Sequence, residues 1–169
     1  MAVRPVAKLP DLILRRKAYE VDKFDKNFQQ LVNDMIDTMR DEPGVGLAAT
    51  QVSVPTRVIV VEYPLDDSQE NAGNTLFVVA NPTFEFLSEE KISGIEGCLS
   101  VPNLVGEVDR STSIRLRGVN RKGKKISIQA NGWLARIFQH EVDHLNGILY
   151  VDRAKTLYKP DNSEALDRV

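Results

Sequence analysis

The residues with the strongest chemical signature are His140-Glu141-Val142-Asp143-His144. At 3.6 residues per turn, positions i and i+4 of a helix lie about 40° apart around the axis, so both imidazoles project from one face. Their Cβ atoms are then about 6 Å apart, close enough for both rings to hold one ion. Glu141 sits about 100° round from His140, where a carboxylate flanks the ion without ligating it. That is the place for a general base that takes a proton from an attacking water and later returns it to the leaving group.

Two histidines leave such a site incomplete, since a catalytic ion takes three protein ligands and an open position. No histidine follows His144, and the only later glutamate is Glu164, close to Pro160 in a polar tail. Cys98 is the better third ligand, in the glycine-flanked segment Gly94-Ile95-Glu96-Gly97-Cys98-Leu99-Ser100, expected to form a bend. The chain has one cysteine and two histidines, so this assignment uses every thiol and imidazole available. A thiolate with two imidazoles suits Zn²⁺ or Fe²⁺, and residue types alone do not choose between them. A third segment, Gly44-Val45-Gly46-Leu47-Ala48-Ala49-Thr50-Gln51, is small enough to approach a ligand, and Gln51 can aim its amide NH₂ at a developing oxyanion.

These residues need elements to position them. Residues 131–147 form a helix on their periodicity, with Trp133, Leu134, Ile137 and Phe138 as its buried turn and Gly147 as its stop. Residues 25–40 place Phe28, Leu31, Val32, Met35, Ile36 and Met39 on one stripe, an amphipathic helix capped by Asp25. Strands are expected at 57–63 and 76–82, with a third over 83–92. SIRLRGV and KISIQA form a hairpin around Arg121-Lys122-Gly123-Lys124-Lys125, and residues 64–75 are a polar loop. The predicted fold is α+β, with antiparallel sheets packed around a central HExxH-bearing helix and an N-terminal amphipathic helix, in a single domain over 1–169.

With 22 basic and 24 acidic residues, the chain lacks the clustered positive excess that nucleic-acid binding needs, so no such partner is expected. No window approaches the roughly 20 apolar residues of a membrane helix, and no membrane partner is expected. The first residues carry no secretory pattern, and a lone cysteine fits a reducing cytoplasm, although a cleaved organellar leader would be invisible.

Together, GVGLAATQ at 44–51, EGCLS at 96–100 and QHEVDH at 139–144 resemble the three motifs of the peptide deformylase family, in the family's order. The resemblance covers about residues 8–153 and leaves 154–169 as a short polar tail. It implies metal binding by Cys98, His140 and His144, acid/base work by Glu141, and oxyanion stabilisation by Gln51 and the Leu99 backbone N–H. It further implies an N-formylmethionyl peptide substrate and release of formate. Fe²⁺ would be the native metal, replaceable by Zn²⁺, Ni²⁺ or Co²⁺. By position, Val45, Gly46, Ile95, Gly97 and Ile137 would contact the substrate, with Trp133 as a further candidate for the methionine pocket. Glu96 and Arg110 match an ion pair that steadies the Cys98 segment.

The chain departs from the family pattern in three places. Thr50 stands where many relatives have proline, and Val105 where many bacterial enzymes carry an arginine facing the peptide. The short tail after Arg153, with Pro160, does not match the C-terminal helix by which some relatives dock on the ribosome, and a transient ribosome contact is the remaining partner expectation. Two other readings of the residues stay open: an HExxH peptidase cutting internal bonds, and a closed metal module, which would have no use for a base at Glu141.

Overall fold

Asp25 opens the first helix by accepting a hydrogen bond from Phe28 N–H at 3.0 Å, and α1 runs Lys26–Asp41. Its buried stripe of Phe28, Leu31, Val32, Met35, Ile36 and Met39 faces a sheet rather than solvent. The computed structural model describes residues 2–160; residues 161–169, including Glu164, lie outside the described residues.

The chain is α+β with two antiparallel sheets. Strands β1 (Gly46–Ala48), β2 (Val58–Tyr63), β3 (Thr75–Leu87), β6 (Ser113–Val119) and β7 (Lys125–Asn131) form the larger, in the order β1-β2-β3-β6-β7. Strands β4 (Lys91–Cys98), β5 (Val101–Ser111) and β8 (Thr156–Tyr158) form the smaller, in the order β4-β5-β8. Helix α2 spans Gly132–Leu145, and one turn, α3, spans Tyr150–Arg153. Strand β2 is apolar without alternation because both its faces are covered. Val58 and Val60 pack with the α1 stripe, while Ile59 and Val61 pack with Leu134, Ile137 and Phe138 of α2. Helix α2 stops at Gly147, whose φ of 75° is left-handed and whose missing Cβ leaves room for the Arg15 carbonyl.

Two expectations are corrected. Residues 76–82 and the start of 83–92 are one strand, β3, because Asn81-Pro82 makes an irregularity in the ladder rather than a break. Asn81 takes a φ of 51° and uses its side-chain amide to bond Val21 N and O at 2.8 and 3.0 Å. The segment around Cys98 is strand β4 followed by a tight turn at Leu99-Ser100, and its glycines mark close approaches of other groups. After Arg153, the three residues of β8 pair with Val105–Glu107 of β5. No helix among the described residues is long and apolar enough to cross a membrane.

Candidate metal centre and active site

Cys98 ends β4, while His140 and His144 stand one turn apart on α2. Their ligand atoms all lie within 4.8 Å of one another, and all three residues are buried. Cys98 Sγ is 3.4 Å from His144 Nε2, which is 3.2 Å from His140 Nε2. Burial alone would push both imidazoles toward the neutral form. Hydrogen bonds to Cys98 and Glu96 overcome it for His140, pushed up to about 10, whereas His144, buried beside His140, is driven well down. One sulfur and two nitrogen donors converge within 4.8 Å of one another, and this donor set fits a divalent ion with a position left open.

Glu141 is fully buried, and neither carboxylate oxygen finds a hydrogen-bond partner among the described residues. Burial pushes its pKa up to about 7, so the group can hold or release a proton near neutrality. It lies directly under Gly46: a Cβ there would meet Glu141 Oε2 at 2.7 Å. The β1 glycine is therefore a steric requirement of the carboxylate's position.

Gln51 sits in a short 3₁₀ turn, Ala49–Val52, immediately after β1. Its Oε1 accepts from Ala48 N at 3.0 Å, which aims Nε2 at Ser100 Oγ (3.1 Å) and Cys98 Sγ (3.5 Å). The amide donor thus stands beside the three ligand atoms, where charge on a substrate oxygen can be met. Leu99 lies in the turn after Cys98 and sends its side chain into the α1 cluster.

Behind His140 the polar groups are fully paired. Glu96 Oε1 accepts from His140 Nδ1 and Arg110 Nη2, both at 2.9 Å, which turns His140 Nε2 toward the ligand cluster. Glu96 Oε2 accepts from Arg110 Nε at 2.9 Å and from Arg136 Nη1 at 2.6 Å. Arg110 Nη1 also reaches Asp143 at 2.7 Å, and Asp143 is held in turn by Arg153. Burial would raise the Glu96 carboxyl, but Arg110 and His140 hold it well below the usual carboxylate range.

The expected substrate contacts separate into two groups. Val45, Ile137 and Trp133 belong to one apolar cluster, with Ile137 fully buried and Trp133 half-buried over Arg136, 5.3 Å from ring centre to guanidinium carbon. Trp133 is thus not the fully buried core residue its periodicity suggested. Ile95 and Gly97 lie on β4 opposite Glu107 and Val105, and Ile95 is not part of that cluster. Val105 is itself buried, over Gly97. Sequence reasoning missed Arg136, Asp143 and Ser100. Arg136 precedes His140 by four residues and so shares its helix face, a signal that was available.

Comparison with known proteins gives a consistent result. The sequence profile of the family described as "Polypeptide deformylase" matches residues 3–160. A peptide deformylase of Desulforudis audaxviator (strain MP104C) is 45% identical over 94% of this chain and 98% of its own. One of Rhizobium meliloti (strain 1021) is 41% identical over 90% of this chain and 85% of its own. Among solved structures, peptide deformylase from Ehrlichia chaffeensis in complex with actinonin superposes with a TM-score of 0.85 at 37% identity, covering 92% of this chain and 91% of that one. The Met-Ala-Ser-bound enzyme of Acinetobacter baumannii gives 0.83 at 38% identity, covering 90% and 100%.

Proposed function

The chain belongs to the polypeptide deformylase family, metal-dependent hydrolases that remove the N-formyl group from formylmethionyl peptides, and from that premise we propose how its own residues perform the reaction. Cys98, His140 and His144 hold the ion, and Glu141 is the general acid/base. The observation that carries this is the convergence of the three ligand atoms beside a fully buried carboxylate that has no hydrogen-bond partner among the described residues. When bound, a divalent ion supplies Lewis acidity that acidifies water and polarises the formyl oxygen.

The remaining steps belong to side chains. Glu141 takes the proton of the attacking water and, held at the same place, delivers it to the departing amine. Gln51 Nε2 and the Leu99 backbone N–H donate to the former carbonyl oxygen as it gains charge. Val45, Gly46, Ile95, Gly97 and Ile137 contact the peptide, the apolar cluster with Val45 and Ile137 taking the methionine side chain, which supports the preference for an apolar first residue. A Met-Ala-Ser ligand on the related A. baumannii enzyme supports the same substrate class.

The fuller reading includes Fe²⁺ as resident metal, with Zn²⁺, Ni²⁺ or Co²⁺ as substitutes, supported by the thiolate-imidazole donor set. It also includes action on nascent chains in the cytoplasm, in transient contact with the ribosome, by one catalytic domain. Helix α2 is its central HExxH helix and α1 its N-terminal amphipathic helix. Contacts of α2 with strands of both sheets and the single buried stripe of α1 support that architecture.

The test follows formate release from formyl-Met-Ala-Ser by Fe²⁺-reconstituted protein prepared anaerobically, with Glu141→Ala in parallel and metal quantified in both. Wild type is expected to release formate, and the variant to lose about 10²–10⁴-fold while keeping its metal. Wild-type protein with stoichiometric metal and no formate would refute the proposal.

A further inference from the structure

Arg136 is a buried guanidinium in the middle of a helix, and its three acceptors come from two strands of the smaller sheet. Nη1 donates to Glu96 Oε2 at 2.6 Å and to the Val108 carbonyl at 3.0 Å, while Nη2 donates to the Ile92 carbonyl at 2.7 Å. Room for it is made by Gly94 of β4: a Cβ at that position would stand 2.7 Å from the guanidinium carbon and 2.8 Å from Nη2. The third side of the guanidinium is covered by the Trp133 ring.

Neutralising Glu96 does not require this residue. Arg110 already engages both carboxylate oxygens, Nε to Oε2 and Nη2 to Oε1, each at 2.9 Å. What Arg136 adds is a reference point. Arg110 ties Glu96 to β5 and, through Asp143, to the α2 turn after His140, whereas Arg136 ties it directly to α2 one turn before that histidine. Helix, Arg136, Glu96 and His140 form a closed ring, so the carboxylate cannot rock relative to the helix that carries two of the three ligands. The bonds to Ile92 and Val108 extend the same constraint along β4 to its end at Cys98, the third ligand.

We infer that Arg136 is a positioning residue of the metal centre, registering strand β4 and the Glu96 carboxylate against α2 so that His140 and Cys98 meet the ion in one fixed geometry. The inference rests on the reading of Cys98, His140 and His144 as metal ligands.

The experiment loads full-length protein with Co²⁺ and measures its affinity by competition with a chelator. The visible absorption bands serve as a coordination signature, and kcat and KM are followed on formyl-Met-Ala-Ser. Arg136→Met removes the guanidinium, and Gly94→Ala displaces it from the opposite side while leaving its charge in place. Leu31→Ala, in the core under α1 and outside the cluster with Val45 and Ile137, controls for lost stability alone. Arg136→Met is expected to weaken Co²⁺ binding about 10–100-fold and shift the bands. Gly94→Ala should do the same to a smaller extent, and Leu31→Ala should lower only Tm. Wild-type affinity and bands in both Arg136→Met and Gly94→Ala would overturn the inference; if Arg136→Met does not fold, Gly94→Ala decides by the same criterion. Wild-type protein that binds no Co²⁺ and releases no formate would overturn the underlying reading, an outcome distinct from failure of the variants alone.

Discussion

A single methyl group at Gly46 tests whether the position of Glu141, and not merely its presence, sets the rate. In Gly46→Ala the new Cβ would lie 2.7 Å from Glu141 Oε2, 2.9 Å from Cγ and 3.0 Å from Cδ. Carbon atoms rest at about 3.5–4.0 Å, so relief requires a movement of roughly 0.7 Å. Rotating the carboxylate does not suffice, because Cγ is struck as well and the whole side chain must shift. Gly46 has an ordinary extended conformation, so alanine brings no backbone strain of its own. A misplacement near 1 Å costs on the order of 10²-fold, and we expect kcat to fall about 10–100-fold. Cys98, His140 and His144 are untouched, so metal content should stay at the wild-type level. Gly97→Ala is the matched control, since its Cβ would meet Val105 Cγ1 at an ordinary 3.5 Å; any cost there should fall on KM. Steady-state formate release with parallel metal analysis reads all of this. A Gly46→Ala kcat within about twofold of wild type, with metal retained, would refute the assignment of Glu141's place as rate-setting.

Further expectations concern stability. Glu96→Gln keeps the shape but strips the charge from a carboxylate shared by two buried arginines, and should cost about 3–5 kcal/mol; a denaturant midpoint shift worth less than about 1 kcal/mol would contradict the pairing seen here. Removing the metal with a chelator should lower Tm by roughly 5–10 °C relative to protein loaded at a hundredfold excess over Kd; a Tm indifferent to metal would count against the Cys98–His140–His144 centre. Asp34 anchors the N-terminal segment by accepting from Ala2 N and Arg4 Nε at 3.0 and 2.9 Å. Burial pushes its carboxyl up, but hydrogen bonds from Gln30, Ala2 and Arg4 outweigh this and leave it lowered. Its contribution is therefore complete above the unfolded value of about 3.9 and is lost as pH falls below it. Hydrogen exchange at Ala2 and Arg4, whose amides donate to Asp34 and Thr38, should speed up in acid relative to the rest of the chain, and Asp34→Asn should remove that difference.

How far the sequence discloses this site depends on whether a residue's role is local or is created by packing. The spacing of His140 and His144 is a property of any helix, so it can be read before a fold is known. Asp25 and the α1 stripe are equally local, and Asp25 caps the helix as its type predicts. Gly94 and Gly97 are not local. Their meaning comes from what lies against them, the Arg136 guanidinium and Val105, and without that partner a glycine pair in Gly94-Ile95-Glu96-Gly97 reads as a bend although the backbone is a strand. Arg136 and Asp143 were hidden for the same reason, because charged residues on a helix suggest a solvated face until a buried counter-charge is found for them. The three residues of β8 carry too little pattern to distinguish a strand from a tail; only the edge of β5 at Val105–Glu107 makes them one.

The same distinction bears on Val105. Viewed as a lone substitution, valine at this position removes a charge that would reach the peptide. In the fold Val105 is paired on one side with Gly97 and on the other with Tyr158, and it is buried between them. Valine therefore leaves no gap here: the position is part of the sheet that supports Cys98. An arginine returned here would have to leave that packed site to reach solvent, since a buried guanidinium without an anionic partner is strongly unfavourable. Val105→Arg should therefore lower Tm, with no improvement in KM for formyl-Met-Ala-Ser. A variant of unchanged Tm and lower KM would mean that the side chain at this position faces the peptide after all.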